Sequence, residues 1–171
     1  MSQVEQLVER ARQAQREYER SDQSHVDETV TAVAWALLQP ERNRELSLLA
    51  VETTGLGKVE DKIFKNERKT LGLLRDLRGA KTVGVISRDP ERGITEIARP
   101  TGVVGALVPS TNPLATPLNN TINALKAHNS IILAPSPAGE TVCSRLLEYI
   151  HAELRRVDAP MHLVQKLSPP V

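Results

Sequence analysis

The residues with most scope for chemistry lie in Pro109-Ser110-Thr111-Asn112-Pro113, where the apolar run Val103–Val108 ends between two prolines. Two roles fit Asn112. An Asn followed by Pro matches ordinary helix capping, with the side-chain oxygen accepting from the first turn and the proline at the first helical position. Capping leaves the amide NH₂ free. That group could donate to a carbonyl oxygen as it becomes an oxyanion, so the two roles are compatible. Ser110 and Thr111 read as turn residues, because no G-x-S-x-G elbow surrounds them and no base lies nearby in sequence. The loop Pro135–Gly139 follows a second apolar run, Ser130–Ala134, in the same way. Both loops offer hydroxyls and helix-terminal N–H groups to a phosphate or a ribose.

Other chemistry-bearing residues read as structural. Cys143 falls in a helical apolar stripe, which suits a buried, inert thiol. His128 follows a helix end, where the dipole favours a cation. Gly102 and Gly105 precede or enter the apolar run rather than follow it, so they are not a phosphate-binding glycine fingerprint. The four histidines are scattered and lack metal-site spacing, and a single cysteine excludes disulfide frameworks and cysteine-based zinc sites within the chain.

The elements that must position these loops follow from periodicity. Val4, Leu7, Val8, Ala11 and Tyr18 mark an amphipathic helix. A second helix starts near Ser24 and Asp27, carries Val26, Val30, Val33, Leu37 and Leu38, and stops at Pro40. A third spans about Glu41–Thr53. A fourth carries Val59, Ile63, Phe64, Leu71, Leu74 and Leu77, with Gly79 as its C-terminal cap. Thr82–Ile86 and Ile94–Ile97, joined by the turn-rich Ser87–Gly93, predict a hairpin. From Val103 the rhythm is strand, helix (Leu114–Lys126), strand (Ser130–Ala134), helix (about Gly139–Arg156), and a third strand beginning at Met161–Val164. Apolar strands alternating with helices predict a parallel sheet covered on both faces, with ligands beyond the strands' carboxyl ends. The expected fold is therefore α/β: amino-terminal helices, a β-hairpin arm, then half of a Rossmann-like βαβαβ sheet. The expected divisions are 1–80 (helical), 81–99 (arm) and 100–171 (partial dinucleotide-binding unit).

Composition narrows the partners. Lys and Arg number 22 against 21 Asp and Glu, a formal net charge of +1, which gives no reason to expect nucleic acid or an anionic membrane. One Trp, two Tyr and one Phe leave little for base stacking. No apolar run approaches membrane-spanning length, and the charged amino terminus is unlike a secretory signal. The simplest expectation is a cytoplasmic protein.

The stretch "RPTGVVGALVPSTNPLATPLNNTINALKAHNSIILAPSPAG" strongly resembles the aldehyde dehydrogenase superfamily, and within it the CoA-acylating branch. That branch carries P-(S/T)-T-N-P where other members carry P-W-N-(Y/F)-P, and this chain has Pro109–Pro113 there. Glu52–Asn66 and Lys81–Gly102 resemble the same branch. The resemblance implies that Asn112 helps form the oxyanion hole, and that Pro109 and Thr111 line the nicotinamide and substrate side. It further implies that Ala134, Pro135, Ser136 and Pro137 meet the adenosine ribose of NAD or NADP. The hairpin Thr82–Ala98 would belong to an oligomerisation arm, giving a homo-oligomer that acts on a small aldehyde with CoA. Two departures stand out. The ribose loop reads Ala134-Pro-Ser-Pro137 instead of K-P-S-E, so the lysine and glutamate that hold ribose hydroxyls are replaced, and nothing there repels a 2′-phosphate. The family's catalytic cysteine and phosphate-binding loop are expected beyond Val171, so the chain resembles the enzyme's amino-terminal portion and is expected to be inactive alone. Two other readings stay open: a non-catalytic fragment that joins another chain through the hairpin and sheet edge, and a free-standing nucleotide-binding module.

Overall fold

The computed structural model describes residues 2–168. Four helices come first: α1 (Gln3–Tyr18), α2 (Gln23–Leu38), α3 (Pro40–Thr54) and α4 (Val59–Leu77). Several boundaries have a local cause. Ser2 and Glu5 close a capping box on α1. Asp22, rather than Ser24, caps α2 by accepting from the His25 N–H at 2.8 Å. Pro40 does end α2, and it also occupies the first turn of α3, where its missing N–H costs nothing. Gly79 follows α4 at φ +75°, a left-handed conformation that suits glycine.

The hairpin pairs β1 (Val85–Asp89) with β2 (Ile94–Ile97), antiparallel, with a bulge between Val85 and Ser87. The first strand lies three residues later than its apolar pattern suggested, because Thr82 is tied back to Gln23 on α2 and Gly84 turns at φ +66°. The parallel sheet then runs in the order β3 (Val103–Val108), β4 (Ser130–Pro135), β5 (Val164–Lys166). Helices α5 (Ala115–Lys126) and α6 (Glu140–Arg156) make the crossovers. Met161–Leu163, expected to open the third strand, forms a 3₁₀ turn instead, and the strand starts at Val164. The entry to β3 is fixed by Asn129, whose Oδ1 accepts from the N–H groups of Thr101 and Gly102 and from the Thr101 hydroxyl.

The core lies where α2, α5 and α6 meet the sheet. Leu118, Ile122, Leu125, Ile131, Leu133, Leu146, Ile150 and Leu154 are all fully buried there. Each such side chain contributes about 1.5–3 kcal/mol relative to its exposed state. On the other face, α1 touches the sheet through Gln165, whose Nε2 donates to the Leu7 carbonyl at 2.9 Å. That face is incompletely covered, contrary to the expectation of a strand buried on both sides. Leu107 on β3 is 75% exposed, and a cavity of about 640 Å³ lies between α1 and the strands. Among the described residues, no helix is long and apolar enough to cross a membrane.

Candidate active site

The two loops singled out by sequence meet at the carboxyl ends of β3 and β4. Ser136 donates its backbone N–H to the Val108 carbonyl at 2.9 Å, which ties the start of one loop to the start of the other. Gly139 then sits where the loops touch. A Cβ there would stand 3.2 Å from Ser136 Oγ and 3.3 Å from Pro113 Cβ, so only a hydrogen fits without displacement.

Asn112 does not cap a helix. Helix α5 begins later, with Leu114 at the N-cap position and no side-chain cap. Pro113 and Leu114 form a turn that shifts the helix start away from Asn112. The Asn112 Oδ1 is buried with no hydrogen-bond partner, while its amide nitrogen is not among the enclosed unpaired atoms. The donor arm is thus the one open to a ligand. Ser136 Oγ is likewise buried and unpaired. Unpaired buried polar groups in native proteins call for a partner, and both of these lie in the loops that meet at Gly139.

The other expected site residues separate into two groups. Pro109 and Thr111 are exposed on the β3–α5 loop, and Pro137 is exposed at the first position of a 3₁₀ turn that leads into α6. Pro135 is buried. Ala134 pairs with Leu107 and, with it, lines the cavity on the α1 side of the sheet. The strand's alternation thus places Ala134 on the open face. Beside the second loop, Lys166 donates to Glu140, and this ammonium holds the Glu140 carboxyl below its ordinary pKa range.

Cys143 is fully buried and its thiol is pushed up to about 12, chiefly by burial. It is a packing residue. His128 is also buried, and the cation in the last turn of that helix is Lys126 rather than the imidazole. Burial lowers its pKa and keeps the ring neutral, and its backbone adopts φ +59°. The imidazole packs edge-on against Tyr18 at 5.3 Å between ring centroids.

Sequence reasoning missed one group of residues. Thr111 shares a pocket with Lys58, Lys62 and Lys65 from the start of α4. Their spacing at i, i+4 and i+7 was a readable signal, since it puts three ammonium groups on one helical face.

A parallel three-stranded βαβαβ unit with two loops meeting at its carboxyl edge matches half of a dinucleotide-binding fold. The aldehyde dehydrogenase family model matches residues 1–167, and the chain belongs to that family. It is 62% identical over 165 residues to a sulfoacetaldehyde dehydrogenase (acylating) from Cupriavidus necator, covering 96% of this chain and 34% of that protein. An acetylating aldehyde dehydrogenase from Geobacillus thermoglucosidasius superposes with a TM-score of 0.93 at 34% identity, over 98% of this chain and 37% of that one. A propionaldehyde dehydrogenase from Rhodopseudomonas palustris, solved with bound CoA and an acylated cysteine, superposes with a TM-score of 0.82 at 30% identity, over 98% of this chain and 38% of that one. The chain thus spans about a third of the length of these relatives.

Proposed function

We propose that this chain supplies the aldehyde- and dinucleotide-facing amino-terminal part of a CoA-acylating aldehyde dehydrogenase. The observation that carries the reading is the meeting of two strand-end loops, each with a half-buried polar residue, Asn112 or Ser136, that has an enclosed oxygen without a protein partner.

In this reading a thiolate from outside the chain attacks the aldehyde carbon. A C–S bond forms and the carbonyl electron pair moves to oxygen. Asn112 donates its amide N–H to that oxyanion, and because the loop is fixed beforehand, no reorganisation is needed as charge develops. Pro109 and Thr111 line the approach to the reacting carbon. Bound NAD or NADP would supply a hydride acceptor for this carbon and CoA an acceptor for the acyl group. Ser136 offers its hydroxyl to the adenosine ribose, while Ala134, Pro135 and Pro137 shape that loop.

The hairpin supports an assembly role. Val85, Ile86, Ile94 and Ile97 are all exposed, and a two-stranded arm with apolar side chains and free edges is marginal until it pairs. A homo-oligomer joined through residues 81–99 fits this observation.

The test is to incubate the full-length enzyme with an aldehyde, CoA and NAD⁺ or NADP⁺. Reduced dinucleotide and acyl-CoA are expected in equal amounts. Reduction accompanied by free acid instead of acyl-CoA would contradict the acylating assignment.

A further inference from the structure

The pocket beside Thr111 has an unusual electrostatic make-up. It measures about 220 Å³ and is lined by Gly57, Lys58, Asp61, Lys62, Lys65 and Thr111, together with Leu56. Lys62 is only 5% exposed. Among the described residues no hydrogen bond or ion pair reaches its ammonium, and its charged neighbour is Lys65. Burial and that like charge both lower its pKa. Asp61 lies on the exposed rim and does not pair with it. Gly57, at φ +77°, borders the end of the Lys62 side chain, where a Cβ would meet Cε at 3.7 Å in ordinary contact. A Cβ there would stand 4.0 Å from Nζ.

The amino terminus of α4 adds unpaired N–H groups, although Glu60 and Asp61 in its first turn offset part of the helix-end potential. Lys58 is the N-cap residue and provides no side-chain acceptor, so the first-turn N–H groups lack a side-chain cap. The Lys62 stem is buried, but its ammonium is not among the enclosed unpaired atoms, so the charge opens onto the pocket with no protein counter-charge to meet it, and an anion entering there would pair with it. Thr111 makes the pocket continuous with the loop that carries Asn112.

The geometry points to an oxyanion-binding subsite in which Lys62, flanked by Lys58 and Lys65, receives an anionic group of a molecule bound at the Asn112 loop. The identity of that molecule rests on the function proposed above. Two sources share the chemistry: the sulfonate or carboxylate tail of an aldehyde, and a phosphate of the dinucleotide or of CoA.

The experiment compares Lys62→Met and Lys62→Arg with wild type in the full-length enzyme. If the substrate supplies the anion, the ratio of kcat/KM for sulfoacetaldehyde to that for acetaldehyde falls roughly ten- to a hundredfold in Lys62→Met and is largely restored in Lys62→Arg. If a cosubstrate supplies it, that ratio holds while KM for CoA or for the dinucleotide rises by a similar factor. Ratios and KM values all within about twofold of wild type overturn the proposal. Thermal unfolding gives a readout that needs no turnover. Ethanesulfonate or inorganic phosphate is expected to raise Tm of the wild type and not of Lys62→Met. A wild type stabilised by neither probe sinks the subsite even if the enzyme is active. A stabilised wild type that forms no acyl-CoA keeps the subsite and sinks the functional reading instead.

Discussion

Ser136 donates its backbone N–H to the carbonyl of Val108 at 2.9 Å, and this bond couples the two loops that carry the candidate site. The parallel register already places Val108 opposite Pro135, so the bond extends the ladder one step past the strands. The relative placement of the loop starts is thereby inherited from the sheet.

Gly139 closes the same junction. Gly139→Ala would place a methyl group 3.2 Å from Ser136 Oγ and 3.3 Å from Pro113 Cβ. It is expected to destabilise the protein by about 1 kcal/mol and to weaken dinucleotide binding by spreading the loops. Thermal unfolding and cofactor titration check this. Unchanged Tm and Kd would show that the junction is slack.

In the proposed reading, Pro137 takes the ribose-loop position where a carboxylate would repel a 2′-phosphate. In the full-length enzyme, Pro137→Glu is expected to lower kcat/KM for NADP⁺ relative to NAD⁺ by roughly tenfold. Steady-state kinetics with both dinucleotides measures it, and an unaltered preference would move the ribose site away from this loop.

Cys143 is expected to resist iodoacetamide at about pH 8 in the native enzyme and to react once denatured, because only the thiolate attacks. Burial raises its pKa to about 12, so little thiolate forms in the fold. Peptide-resolved mass spectrometry reads the label. Rapid native labelling would contradict its packing role.

His128 contributes to the pH dependence of stability. Its folded pKa is lowered, chiefly by burial, with Glu19 and a backbone hydrogen bond at Ser21 opposing the shift. The unfolded state therefore takes up a proton first as pH falls. The stabilisation is present above about pH 6.5 and is lost below it. His128→Asn, which tolerates φ +59°, is expected to flatten this acid-side loss. His151, shifted in the same direction, leaves a residual slope. Denaturant titrations at several pH values would show it, and an identical slope in the variant would exclude His128 as a contributor.

The α/β order and the helices were legible because they depend on local periodicity and on caps such as Gly79. The bounds of β3, Val103–Val108, were legible too, since glycine and proline flank an unbroken apolar run. Burial was not. Val103–Val108 reads as a strand covered on both faces, yet Leu107 lies open, because cover depends on elements distant in sequence. The start of β5 was missed because Met161–Leu163 satisfies the same apolar pattern as a 3₁₀ turn. Asn112 misled in the opposite sense: Asn-Pro is a capping signal, but the chain turns once more before α5 begins. The lysines at positions 58, 62 and 65 reach the site only through the packing of α4, which no local pattern reports.

The most direct measurement is kcat of Asn112→Ala in the full-length enzyme, with the aldehyde, CoA and dinucleotide saturating. Loss of one preorganised donor is expected to lower kcat by about 10²–10³ with smaller changes in KM. A kcat equal to that of wild type would remove Asn112 from the oxyanion role and contradict the account of the site.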